Sequence, residues 1–85
     1  MYELKYKKSA LKSMNKLPKH VRSRIATELE AVAAGPVDYK GDWKPLSGSP
    51  YWRLRVGDYR AVCAVEKSVL LLLVLKVGPR GDIYK

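Results

Sequence analysis

One ten-residue segment carries the clearest candidate chemistry in this sequence. Residues 51–60 read YWRLRVGDYR, which predicts two strands joined by a two-residue turn, since glycine accepts the positive φ that such turns require. This register places Arg55 opposite Arg60, with Arg53 two residues along on the same face. Directly opposed like charges destabilise a sheet by up to about 1 kcal/mol. A bound anion would reverse that repulsion, and guanidinium groups suit phosphate.

A second interpretation of the three arginines stays open. They could form a solvated strand face on which the side chains splay apart or pair with acidic residues. The residues alone do not decide between this arrangement and an anion-binding face. The opposite face of the same hairpin is apolar and is predicted to lie in the core: Trp52, Leu54, Val56, Tyr59, Ala61 and Cys63.

Composition limits both the class of protein and the kind of site. The 85 residues are 47% hydrophobic, which predicts one small domain with one core. The net charge of +9 favours nucleic acid or an acidic protein as partner over an anionic membrane surface. The single cysteine, Cys63, and the single histidine, His20, exclude an internal disulfide, a cysteine metal cluster and a multi-histidine site. No metal or other cofactor is therefore predicted.

The sequence carries no targeting or membrane signal. The N-terminus lacks an apolar signal segment. The longest apolar run, residues 69–75, is far shorter than the roughly 20 residues of a membrane helix. A cytoplasmic location without a membrane partner is therefore expected.

The elements that would position the arginines follow a simple order. Alternation predicts a strand over residues 2–6, and helical spacing predicts helices over residues 9–16 and 18–34, the second ended by Gly35 and Pro36. Residues 37–50 are predicted to be irregular. The hairpin follows, and the apolar run predicts a central strand over residues 69–77.

These elements predict an α+β fold of order β-α-α-β-β-β. A helical hairpin is expected to pack on one face of a mainly antiparallel sheet, leaving the arginine face partly open. The helical hairpin also carries an outward basic surface, which is either an ordinary solvated face or a docking surface for a polyanion. Its residues are Lys12, Lys16, Lys19, Arg22 and Arg24, with Lys44 and Lys76 as further cations.

The end of the chain adds two candidate groups, Arg80 and Tyr84. They would return toward the arginine face if the last strand lies beside the strand of Arg60. Cleavage of RNA through its 2′-hydroxyl needs a proton acceptor, cations around the transition state and a proton for the leaving oxygen. A phenol with a reference pKa of about 10 is a poor base, but nearby guanidinium groups favour the phenolate.

Several motifs together resemble the RelE family of toxins, within the RelE/ParE superfamily. They are Leu46-x-Gly48, the RVGDYR segment at residues 55–60 and VGPRGDIY at residues 77–84. The opening strand and the helical hairpin fit the same family, so the resemblance spans nearly the whole chain. It implies a single toxin domain over residues 1–85 and an antitoxin-controlled endonuclease that cuts mRNA in the ribosomal A site.

The resemblance also implies roles for individual residues. Tyr84 would act on the 2′-hydroxyl, and Arg80 would serve the leaving group or the transition state. Arg53, Arg55 and Arg60 would hold the phosphate, and the helix cations would dock ribosomal RNA. The chain departs from the family where some members have lysines in place of Arg53 and Arg55. It also has Pro79 where many members have histidine.

The implied partners are a RelB-like cognate antitoxin, the ribosome and mRNA. Promoter DNA would be bound only through the antitoxin complex. Two alternatives stay open: a ParE-like toxin that inhibits DNA gyrase, and an inactive relative that retains antitoxin binding. The fold permits all three.

Overall fold

Two helices pack on one face of a five-stranded sheet. The computed structural model describes residues 1–79, and the strands are ordered β1-β5-β4-β3-β2, with β1 parallel to β5 and the other neighbours antiparallel. The elements are β1 Glu3–Tyr6, α1 Lys8–Asn15, α2 Lys19–Ala34, β2 Asp42–Pro45, β3 Trp52–Val56, β4 Tyr59–Glu66 and β5 Leu71–Pro79. The predicted α+β class, the helical hairpin and the mainly antiparallel sheet are confirmed.

Strand β2 is absent from the predicted order. It lies within residues 37–50, which were expected to be irregular, and pairs antiparallel with β3 at the edge of the sheet. Trp43 on β2 stacks on Trp52, with ring centroids 5.3 Å apart and ring planes 14° apart. Four residues are too few to show a clear period, and Pro45 is tolerated because an edge strand leaves one side unpaired.

The bounds of β5 also differ from the prediction. Val69 and Leu70 belong to the turn before the strand, where they are 69% and 48% exposed. Leu70 takes a positive φ of 50° there. At the other end β5 continues through Gly78 and Pro79. Pairing with β1 stops at Val74, so among residues 1–79 Pro79 has a neighbouring strand on the β4 side alone, and its missing donor is tolerated.

The core lies between the helices and one face of the sheet. Helix α2 spans Lys19–Ala34, so Pro18 precedes it and is not in its first turn as predicted, whereas Gly35 ends it as predicted. It contributes Ile25, Leu29 and Val32. These residues pack with fully buried Leu54, Leu72 and Val74 from the sheet. Within residues 1–79, neither helix has the length and apolar character needed to cross a bilayer.

Cys63 is a core residue, and we expect its thiol to be unreactive in the folded chain. It has no exposed surface, and burial raises the pKa of the thiol to about 12. At pH 8 a disulfide reagent should therefore label the native chain at least about 100-fold more slowly than the chain unfolded in guanidinium. Equal labelling rates in the two states would contradict this placement.

Candidate functional site

The β3–β4 hairpin has the register that its sequence predicts. Val56 pairs with Tyr59 and Arg55 pairs with Arg60 across the turn. Gly57, the first turn residue, has a φ of 60°, a conformation that glycine adopts without the penalty of a side chain. The turn therefore sets which residues share each face of the sheet.

Register across four strands brings five basic residues to the face away from the helices. Paired residues share a face and alternate residues return to it, so two adjacent rows can be read directly. They run Asp42, Arg55, Arg60, Gly78 and Lys44, Arg53, Val62, Lys76. We call the five basic residues of these rows the cationic face: Lys44, Arg53, Arg55, Arg60 and Lys76.

The three arginines of the cationic face contact three different acceptors. Arg53 Nη2 lies 3.0 Å from Asp42 Oδ1. Arg55 Nε donates to the Gly57 carbonyl oxygen at 3.3 Å, and Arg60 Nη1 donates to the Tyr59 carbonyl oxygen at 3.4 Å. Arg53 thus pairs with an acidic residue, as the second interpretation allows. Arg55 and Arg60 instead donate to neutral backbone carbonyls beside the turn.

Arg60 differs from the other two arginines because it is buried. It is only 6% exposed, and it is the one buried charged residue in the described part of the chain. Across residues 1–79 no carboxylate lies within ion-pair distance of its guanidinium. A charge removed from water needs a compensating partner. Arg60 is therefore the position on the cationic face where a bound anion would be most strongly stabilised.

The helix cations lie on the other side of the molecule from the cationic face. Lys12, Lys16, Lys19 and Arg24 are exposed, whereas Arg22 is half-buried. Arg24 lies near the hairpin: its Nη1 is 3.5 Å from where a Cβ on Gly57 would stand. Arg24 from the helices and Arg55 from the sheet therefore both place positive charge beside the turn.

Asp42 is the site residue that the sequence analysis missed. Its contact with Arg53 depends on β2, and nothing in the local pattern predicted that strand. Arg80 and Tyr84 lie outside the described residues, so their predicted places at the site stay predictions. Within residues 1–79, no group of three or more His, Cys, Asp or Glu residues is arranged to hold a metal ion.

Comparison with known proteins identifies one family that matches nearly the whole chain. The family described as ParE toxin of type II toxin-antitoxin system, parDE, matches residues 4–84. The chain belongs to this family. It is also 27% identical over 85 residues to a provisionally named RelE-like toxin protein of Escherichia coli, covering 98% of this chain and 90% of that protein.

Two solved structures of toxin–antitoxin complexes show the same fold. The archaeal RelE–RelB complex from Pyrococcus horikoshii OT3 is 29% identical, with a TM-score of 0.81 and coverage of 95% of this chain and 97% of that chain. The intact Escherichia coli RelBE complex is 26% identical, with a TM-score of 0.81 and coverage of 96% and 100%. The predicted resemblance to RelE toxins is confirmed: the chain is a toxin of the RelE/ParE superfamily.

Proposed function

We propose that this toxin is a ribosome-dependent mRNA endoribonuclease that cleaves mRNA in the A site through attack by the 2′-hydroxyl. The observation that carries the proposal is the pairing of Arg55 with Arg60, with Arg53 on the same face. Three guanidinium groups there suit a phosphate that gains charge in the transition state. The burial of Arg60 adds to this, because charge interactions strengthen where water is excluded.

Each group has a separate task in the proposed reaction. Arg53, Arg55 and Arg60 bind the scissile phosphate and stabilise the charge that develops on it. Tyr84 takes or orients the proton of the 2′-hydroxyl, and Arg80 serves the leaving oxygen or the transition state. A guanidinium is a reluctant acid, so most of the rate comes from electrostatic stabilisation and from substrate positioning by the ribosome.

The remaining cations serve docking. Lys12, Lys16, Lys19, Arg22 and Arg24 contact ribosomal RNA from the helical hairpin, and Lys44 and Lys76 extend the path of the nucleic acid across the sheet. Contacts of this kind release counterions, so ribosome binding should weaken steeply as salt rises.

A RelB-like antitoxin is the proposed regulator of the toxin. Both solved relatives described above are complexes of a RelE toxin with RelB. An acidic or amphipathic antitoxin segment over the cationic face would neutralise the charge near Arg53, Arg55 or Arg60. Promoter DNA is bound through the antitoxin complex. In this proposal residues 1–85 form a single toxin domain that acts in the cytoplasm without a membrane partner or cofactor.

A second candidate function is inhibition of DNA gyrase without RNA cleavage. The family description favours it, because the matching family is that of ParE toxins. A third candidate function is antitoxin binding alone, by a relative that has lost toxin activity. The cationic face favours RNA cleavage over both, since neither alternative needs three arginines around one phosphate.

Cleavage of mRNA on programmed ribosomes tests the proposal. We expect discrete A-site cuts by the wild-type chain and much weaker cuts by Tyr84→Phe. Tyr51→Phe is the matched control because Tyr51 is an exposed tyrosine outside the cationic face, and it should cut normally. Cuts unaffected by Tyr84→Phe would remove the proposed proton acceptor but keep the enzyme. Loss of gyrase supercoiling with intact mRNA would overturn the proposal in favour of the ParE-like function.

A further inference from the structure

One carboxylate lies among the five cations of the cationic face. Asp42 stands on edge strand β2, paired in register with Arg55. The two rows that contain the cationic face hold no other acidic residue. A carboxylate in this place repels any phosphate that approaches. Its presence in a surface suited to polyanions therefore calls for a physical explanation.

The side chain of Asp42 acts on one arginine. Its Oδ1 lies 3.0 Å from Arg53 Nη2, and the two side chains are 36% and 17% exposed. The hydrogen bond from Arg53 lowers the pKa of the Asp42 carboxyl, and the charges of Arg53, Lys44 and Arg55 lower it further. Asp42 is therefore ionised at neutral pH and holds a partly shielded guanidinium by a charge-assisted hydrogen bond.

Within residues 1–79, this contact uses one of the donors of the Arg53 guanidinium. The group has five N–H donors, and the structure records one of them on Asp42. The acceptors of Arg55 and Arg60 are neutral carbonyls at the longer distances of 3.3 and 3.4 Å. Arg53 is therefore the most firmly oriented arginine of the three, and it retains donors for a phosphate.

We propose that Asp42 is a positioning residue that orients the Arg53 guanidinium toward the scissile phosphate. The inference rests on the proposed function and extends it to a residue outside the substrate contacts. Asp42 has two opposite effects on the reaction: its negative charge repels RNA, and its hydrogen bond orients Arg53. Removing the carboxylate strengthens the attraction for RNA but releases Arg53 from its productive direction, and misplaced catalytic groups are costly to rate.

Steady-state cleavage on programmed ribosomes separates the two effects. Asp42→Asn should lower kcat by roughly 10- to 100-fold while KM stays unchanged or falls. Asp42→Glu restores the carboxylate and should recover most of the lost rate. Asp58→Asn is the charge-matched control because exposed Asp58 lies in the neighbouring turn, and its kcat should equal that of the wild type. An unchanged kcat in Asp42→Asn, or an equal fall in Asp58→Asn, would overturn the inference.

A second readout does not depend on catalysis. The heteronuclear NOE of the Arg53 Nε–Hε group, measured by ¹⁵N NMR, should be high in the wild-type chain and in Asp58→Asn and should fall in Asp42→Asn. The same value in all three chains would show that Asp42 does not order Arg53 and would overturn the inference. If the wild-type chain cuts no mRNA, the proposed function fails, and this measurement still decides whether Asp42 orients Arg53.

Discussion

Replacing Arg60 with alanine is expected to lower the rate of mRNA cleavage by about 10²- to 10³-fold, the range seen when one donor to a developing charge is removed. Arg60 is buried, so the proposed interaction with the phosphate would be less screened by water than that of an exposed arginine. Single-turnover cleavage with saturating ribosomes measures this loss directly, because differences in docking then no longer affect the rate.

Two further variants test whether the loss of rate in Arg60→Ala comes from the Arg60 guanidinium itself. Arg60→Lys keeps the charge but loses the planar fork, so we expect only partial recovery of the rate. Lys5→Ala removes a cation from β1, at the edge of the sheet opposite β2, where the side chain is 61% exposed, and it should cleave normally. Urea unfolding and circular dichroism establish that each variant is folded. A folded Arg60→Ala that cleaves at the wild-type rate would show that the phosphate is bound elsewhere.

Replacing Leu54 with alanine is expected to lower the free energy of unfolding by about 2–5 kcal/mol. Leu54 has no exposed surface and packs in the core. It lies between Arg53 and Arg55 in the sequence of β3, on the opposite face of the sheet from them. The alanine would leave a cavity beneath the cationic face. Small domains unfold at a total cost of about 5–15 kcal/mol, so the change removes a large share of the stability. Urea denaturation at 25 °C gives the difference.

Leu70→Ala is the matched control for Leu54→Ala. Leu70 is 48% exposed, and its positive φ of 50° strains alanine and leucine alike, so the backbone contribution should cancel. We expect a loss of less than about 1 kcal/mol, as for other surface substitutions. Equal losses in the two variants would mean that the face of β3 opposite the arginines is not packed as the structure describes.

Local sequence was sufficient to predict the register of the hairpin at the centre of the candidate site. Gly57 allows a tight two-residue turn, and once the turn is set, alternation places every residue of both strands. Arg55 and Arg60 are therefore opposed for a reason that lies within six residues. Local sequence also predicted correctly that Gly35 ends α2 and that the apolar run forms a central strand. The observed strand starts later than predicted, at Leu71.

The environment of each arginine could be seen in the tertiary structure but could not be predicted from the sequence. β2 is four residues long, too short for its alternation to be detected, and it pairs with the edge of β3. The partnership of Asp42 with Arg53 spans 11 positions in sequence and depends on that pairing. Burial of Arg60 likewise results from neighbours that sequence spacing does not reveal.

The sequence by itself determined the fold class, the family resemblance and the common face of Arg53, Arg55 and Arg60, because turn chemistry and side-chain period act over a few residues. Only the tertiary structure decided that Lys44 and Lys76 join that face, that Asp42 holds Arg53 and that Arg60 is buried. Those features depend on which strands become neighbours, and strand neighbours are selected by the packing of the whole sheet against the helices.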